Sequence, residues 1–180
     1  MCTTSREGII EPRSVLGGGK AEWALFLGVA ALVLLLDRIT KHLVVENLAV
    51  GEMWNPVAFL RPFVTITHVS NTGAAFGLFR DYGTLFAIVA LLVVVGIVVF
   101  YRYLPAGQLW IRVSLGLQLG GALGNLFDRV LLGSVVDFID IKFWPVWNVA
   151  DMAIVSGVAL LAFQLLFVER EDEQTAEAGD

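Results

Sequence analysis

The chain has 180 residues, of which 57% are hydrophobic and 16% charged, and its mean hydropathy is +0.77. Soluble domains run at about 45–50% apolar and about 25% charged, so this composition excludes an ordinary soluble domain, a disordered chain and a nucleic-acid binder. The formal charge of −5 resides in residues 169–180, where Glu169, Glu171, Asp172, Glu173, Glu177 and Asp180 face one base, Arg170. A single cysteine, Cys2, permits no internal disulfide and lies too near the start to follow a signal-peptide apolar core.

Residues 1–20 are polar and glycine-rich (Gly17-Gly18-Gly19), with no cleavable signal peptide, and read as a cytoplasmic segment. Four apolar stretches follow, 23–36, 84–101, 113–127 and 152–168, each uncharged over 14 to 18 residues. A spanning helix needs about 20 residues, so the first and third must extend into their polar flanks. The spacing predicts spans over about 22–44, 84–104, 110–130 and 149–168, joined on one side by connections 45–83 and 131–148. The expected fold is an all-α membrane protein, a four-transmembrane-helix bundle with a small extracytoplasmic sheet and loop region. Residues 21–168 form one domain, and 169–180 an acidic, disordered tail.

An even number of spans puts both termini on one side. Arg6, Arg13 and Lys20 precede the first span, and Arg102 and Arg112 flank the connection between the second and third. Those ends read as cytoplasmic, although six Lys/Arg fall on each side of this arrangement. In the outer connection, residues 63–69 are rich in β-branched types and bounded by turn signals, which predicts a strand. Trp54, Trp144 and Trp147 suit the headgroup level.

Polar residues gather at the outer ends: Asp37-Arg38-Ile39-Thr40-Lys41, Gly124-Asn125 through Asp128-Arg129, Asn148-Val149-Ala150-Asp151, and the loop Asn71-Thr72-Gly73-Ala74-Ala75-Phe76-Gly77. Random placement would scatter them over both faces, so their convergence predicts one site near the outer leaflet. Asp37 and Lys41 share a helical face, Asn125 precedes Asp128 and Arg129 by three and four residues, and Asn148 precedes Asp151 by three. For Asp37–Lys41 and Asp128–Arg129 a structural ion pair is the favoured reading. Asp137 and Asp151 have no base at helical spacing, which favours a functional one. Gly120 and Gly124 form Gly-x-x-x-Gly, read as close helix packing.

Two unpaired carboxylates at one site cannot both ionise freely, so they share a proton. One can then activate water while the other polarises a carbonyl. The histidines are His42 and His68, and no Gly-x-Ser-x-Gly or His-Glu-x-x-His occurs, so zinc and Ser/His schemes are poorly supplied. A proton-coupled carrier and a scaffold subunit remain as alternatives. Asp→Asn changes distinguish them by lost cleavage, lost flux or lost assembly.

From Trp23 to Val168 the chain resembles the lipoprotein signal peptidases, or signal peptidase II, of bacteria. The resemblance rests on Asp37-x-x-Thr40-Lys41, the Asn71–Gly77 motif, Gly120-Gly121-Ala122-x-Gly124-Asn125-x-x-Asp128-Arg129, Val135-Val136-Asp137-Phe138 and Asn148-x-Ala150-Asp151. It implies an intramembrane aspartyl peptidase of the cytoplasmic membrane that cleaves diacylglyceryl-modified prolipoproteins before the lipidated cysteine, with its site toward the outer leaflet. The implied catalytic pair is Asp137 and Asp151, with Asp140 a nearby decoy outside the motif. Asn71, Gly73, Asn125, Arg129 and Asn148 correspond to polar or loop positions around the site, and Asp37, Lys41 and Asp128 to supporting ones. The resemblance further implies a monomer in contact with membrane lipid, blocked by globomycin-type peptides, with no metal, cofactor or nucleic acid. Trp147 departs from the phenylalanine common before the asparagine, and the connection over 139–146 is compact.

Overall fold

The computed structural model describes residues 18–73 and 83–168. Within them the order is α1 (Lys20–Asn47), β1 (Met53–Trp54), a 3-10 turn (Ala58–Leu60), β2 (Thr65–Asn71), α2 (Gly83–Tyr101), α3 (Leu109–Leu132), β3 (Val135–Asp140) and α4 (Val149–Phe163), which continues into a π turn, Gln164–Val168. Most of residues 1–20, the Ala74–Gly77 part of the loop motif and the tail over 169–180 lie outside the described residues.

Among the described residues three helices, Lys20–Asn47, Gly83–Tyr101 and Val149–Phe167, are long and apolar enough to cross a membrane. The fold is thus mostly helical, as expected of a multi-pass membrane protein, with a small sheet. Only Ile97 and Tyr101 of α2 are buried, so an almost wholly apolar helix turns its sides outward, toward lipid. The opposite holds for α3, where twelve residues are buried, among them Arg112, Ser114, Asn125 and Asp128. It is the inner helix against which α1, α2 and α4 pack.

Small residues make that packing close. A Cβ added at Gly120 would lie 2.6 Å from the Ala30 carbonyl oxygen, and one at Gly116 would lie 2.9 Å from that of Phe26, so α1 backbone rests directly on α3. From α4, Gly157 meets the Ser114 carbonyl in the same way, at 2.7 Å. At the other end of the bundle Phe26 stacks on Tyr101, ring centroids 4.0 Å apart, and the Tyr101 hydroxyl donates to the Glu22 carbonyl at 2.8 Å. Arg112, read in the sequence as a residue flanking a connection, is instead fully buried there. It donates to the Pro105 carbonyl at 2.8 Å, lies 3.4 Å from Glu22 and covers the Tyr101 ring.

The sheet is antiparallel in the order β1-β2-β3. The expected strand over 63–69 is present two residues later, as Thr65–Asn71. Its main partner, β3, comes from the second connection, for which the sequence pattern predicts no strand. Gly133, with φ +73°, supplies the left-handed turn that ends α3 and aims the chain into β3. Val136 and Phe138 then pack on Val44 of α1, fixing the sheet against the helix end.

Candidate active site

Strand periodicity sorts the acids of β3. Successive side chains point to opposite faces, so Asp137 and Asp140 part company. Asp140 accepts hydrogen bonds from Thr65 and Thr67, each at 3.2 Å, and pairs with Lys142 at 2.7 Å. Its partial burial favours the neutral carboxyl, but the Lys142 hydrogen bonds outweigh this and hold its pKa below the usual value. Asp137 is buried on the other face. Its two oxygens accept from the Asn71 amide at 2.9 Å and the Asn148 amide at 2.7 Å.

Asn148 also explains the spacing of Asn148-x-x-Asp151. It is the N-cap of α4: its Oδ1 accepts from the Asp151 N–H at 2.9 Å, while the Asp151 carboxylate accepts from the Asn148 N–H at 3.3 Å. This reciprocal capping box fixes the Asp151 side chain at the start of the helix. The other Asp151 oxygen accepts from the Asn125 amide of α3 at 2.7 Å. Asn125 Oδ1 in turn accepts from Asn148 at 3.1 Å and from Lys41 at 3.0 Å. Since an ammonium only donates, Lys41 dictates which way the Asn125 amide faces.

Behind this amide row lies a buried ion cluster. Lys41 pairs with Asp37 at 2.9 Å, as the i, i+4 spacing predicts, and with Asp128 at 2.8 Å. The expected Asp128–Arg129 pair is not formed: adjacent helix residues diverge, and Asp128 turns to Arg38 and Lys41 of α1. Asp37 also accepts from the Ala150 N–H at 3.1 Å, and Asp128 from the Val136 N–H at 3.3 Å. The cluster therefore joins α1, α3, β3 and the N-terminus of α4 at one point.

Arg129, released from Asp128, lines a cavity of about 390 Å³ together with Asn71, Gly73, Asn125, Asp137 and Asp151. Asn148 reaches the same carboxylates from its cap. Thus the structure gathers the expected site residues, with Asp37, Lys41 and Asp128 one layer behind. The apolar wall was missed: Val135, Trp144, Pro145, Val146, Trp147 and Val155 complete the lining. The two tryptophans, read as headgroup anchors, form an edge-to-face pair at 6.1 Å beside the carboxylates. Their signal in the sequence was proximity to Asn148.

Burial raises the Asp137 pKa to about 7, and the nearby Asp151 adds to the rise against the opposing hydrogen bonds from Asn71 and Asn148. The folded chain therefore binds this proton more tightly than the unfolded one. The stabilisation is fully present below pH 3.8 and is lost as pH rises through about 7. Thermal unfolding across that window should show stability falling with rising pH, and Asp137→Asn should flatten the slope. An unchanged slope in the variant would assign the titration elsewhere.

Three apolar helices of spanning length and a carboxylate-lined cavity at their ends describe a polytopic membrane protein with a polar site. The sequence profile of Signal peptidase (SPase) II matches residues 29–167, and the chain belongs to that family. It is therefore a peptidase of the aspartyl type. The lipoprotein signal peptidase of Moorella thermoacetica is 47% identical over 141 residues, covering 78% of this chain and 92% of that one. That of Mycolicibacterium smegmatis is 44% identical over 154 residues, covering 82% and 63%. A bacterial membrane enzyme solved by the in meso method at 2.3 Å resolution superposes with a TM-score of 0.72 at 30% identity, covering 86% of this chain and 93% of its own. A second, solved at 1.9 Å, gives 0.71 at 29%, covering 86% and 99%.

Proposed function

We propose that this chain removes the signal peptide from diacylglyceryl-modified prolipoproteins, cutting immediately before the lipidated cysteine, with Asp137 and Asp151 as the catalytic pair. The observation that carries this reading is the shared cavity in which both carboxylates are held by amide donors, neither in an ion pair among the described residues. The pair holds one proton. The ionised carboxylate takes a proton from water as its oxygen bonds to the scissile carbonyl carbon, and the protonated one donates to the carbonyl oxygen. Collapse of this gem-diol breaks the C–N bond: the carboxyl that took the water proton gives it to the departing amine of the lipidated cysteine, and a gem-diol hydroxyl returns its proton to the other carboxylate, which restores the pair.

In this scheme Asn125 and Asn148 position the pair, and Asn71, Gly73 and Arg129 hold substrate backbone along the cavity. Asp37, Lys41 and Asp128 support them from behind. We read α3 as the fourth span of a single domain over 21–168, because it packs inside the three apolar helices, and its charged residues Arg112, Asp128 and Arg129 lie toward its two ends. Both termini then face the cytoplasm and the cavity faces the outer leaflet. The substrate acyl chains stay in lipid, since moving them to water would cost about 0.8 kcal/mol per CH₂. The protein acts as a monomer, and globomycin-type peptides block it by occupying the pair.

The test is incubation of the full chain in detergent with a diacylglyceryl-prolipoprotein, followed by mass analysis of both fragments. The expected product begins at the lipidated cysteine, and the unlipidated precursor is left intact. Cleavage elsewhere, or none by the folded chain, would overturn the assignment.

A further inference from the structure

A second cavity, of about 520 Å³, lies on the sheet and is lined by Met53, Asn55, Ala58, Arg61, Thr65 and Lys142. Its residues take no part in the chemistry above. Arg61 carries a guanidinium with no ion pair or side-chain hydrogen bond among the described residues. Lys142 is held in place, its Nζ donating to Thr65 Oγ1 at 2.6 Å and to Asp140 at 2.7 Å. It does so from a left-handed backbone, φ +66°, a conformation that a non-glycine residue adopts only when its surroundings enforce it. Arg61, Lys142 and Asp140 together leave one net positive charge. Asn55 donates to the Val64 carbonyl at 3.0 Å, while its Oδ1 has no hydrogen-bond partner among the described residues. That oxygen is closed to solvent, so the groups the cavity offers a ligand are the exposed Arg61 guanidinium and the fixed Lys142 ammonium.

The surroundings favour one source of anion. Phe59 is 75% exposed, Phe63 67% and Phe143 84%, and these aromatic side chains flank Arg61 and Lys142 in sequence. The sheet that carries the cavity adjoins the end of α1, where Leu43, Val44 and Leu48 line one groove with the exposed Trp54 of β1 and Ile66 of β2, and Leu43 and Val45 are themselves exposed. Exposed aromatics continuous with a spanning helix and interleaved with bases are the composition of a membrane interface. We propose that this cavity binds the headgroup of an anionic glycerophospholipid. Its phosphate sits between Arg61 and Lys142, where the net positive charge lies. The site rests on the membrane placement of α1 and not on the catalytic pair.

The test titrates the full chain, in detergent micelles, with phosphatidylglycerol, phosphatidylcholine or inorganic phosphate, counting bound lipid by native mass spectrometry. Phosphatidylglycerol is expected to bind in preference to phosphatidylcholine. Arg61→Gln should weaken it about fivefold, the weight of one base near an anionic surface, and Arg61→Lys should keep most of the affinity. Phosphatidylcholine, whose choline offsets the phosphate charge, should respond less than phosphatidylglycerol to Arg61→Gln. Equal retention of the two lipids, or an Arg61→Gln variant that binds phosphatidylglycerol normally, would overturn the proposal. Displacement of the lipid by millimolar inorganic phosphate would likewise overturn it, in favour of a soluble anion. Cleavage of a prolipoprotein in the same micelles reports separately on the peptidase.

Discussion

Asp137→Asn and Asp151→Asn should each lower the rate of prolipoprotein cleavage by at least about a thousandfold, the upper part of the range for positioned acid–base groups. Each carboxylate does something an amide cannot, taking a proton from water or releasing one to a carbonyl. The substitution keeps size and planarity. However, both oxygens of Asp137 accept from amide donors, so an asparagine there sets one NH₂ against Asn71 or Asn148. Removing a buried charge offsets part of that cost, and the melting temperature should stay close to wild type. Initial rates and thermal unfolding on the same preparations check this. A well-folded variant that retains near-normal cleavage would remove that aspartate from the pair.

Lys41→Met should act first on the fold. It strips one ammonium from Asp37, Asp128 and Asn125, at 2.9, 2.8 and 3.0 Å, and leaves two fully buried carboxylates with Arg38 as their remaining base among the described residues. Breaking a buried ion cluster from one side costs about 3–5 kcal/mol. Activity should fall further than stability explains, because the Asn125 amide that holds Asp151 loses the donor that sets its direction. Adding Asp37→Asn to Lys41→Met should recover stability by removing one stranded charge. Denaturant unfolding of the two variants measures this, and a Lys41→Met chain as stable as wild type would refute it.

Asp37–Lys41 and Asn148–Asp151 were legible in the sequence because helical spacing is local, and three and four residues define a face. The strand at Thr65–Asn71 was legible from its β-branched run. Val135–Asp140 was not read as a strand, since its apolar residues are buried on both faces and do not alternate. For the same reason nothing local separated Asp137 from Asp140; that distinction needed the family motif, and strand parity supplies its physical cause. The partner of Asp128 lies 90 residues away at Arg38, and no pattern along one helix could have chosen it over Arg129. The tryptophan wall was invisible because aromatic residues near a membrane edge suit an anchor and a cavity equally well.

The segment between the two aspartates has a built-in seam. Trp147 and Ile139 exchange backbone hydrogen bonds, N–H of Trp147 to Ile139 at 3.0 Å and N–H of Ile139 to Trp147 at 2.7 Å. This closes residues 140–146 into a bight whose two ends are stitched together just beside Asp137 and Asn148. Side chains exchanged over 143–146 leave this backbone stitch in place, and with it the spacing of the reacting carboxylates. Yet Trp144, Pro145 and Val146 hang from that bight over the cavity. The architecture therefore separates a fixed chemical part from an interchangeable wall, so that selection can reshape what the cavity admits while the proton chemistry is inherited intact.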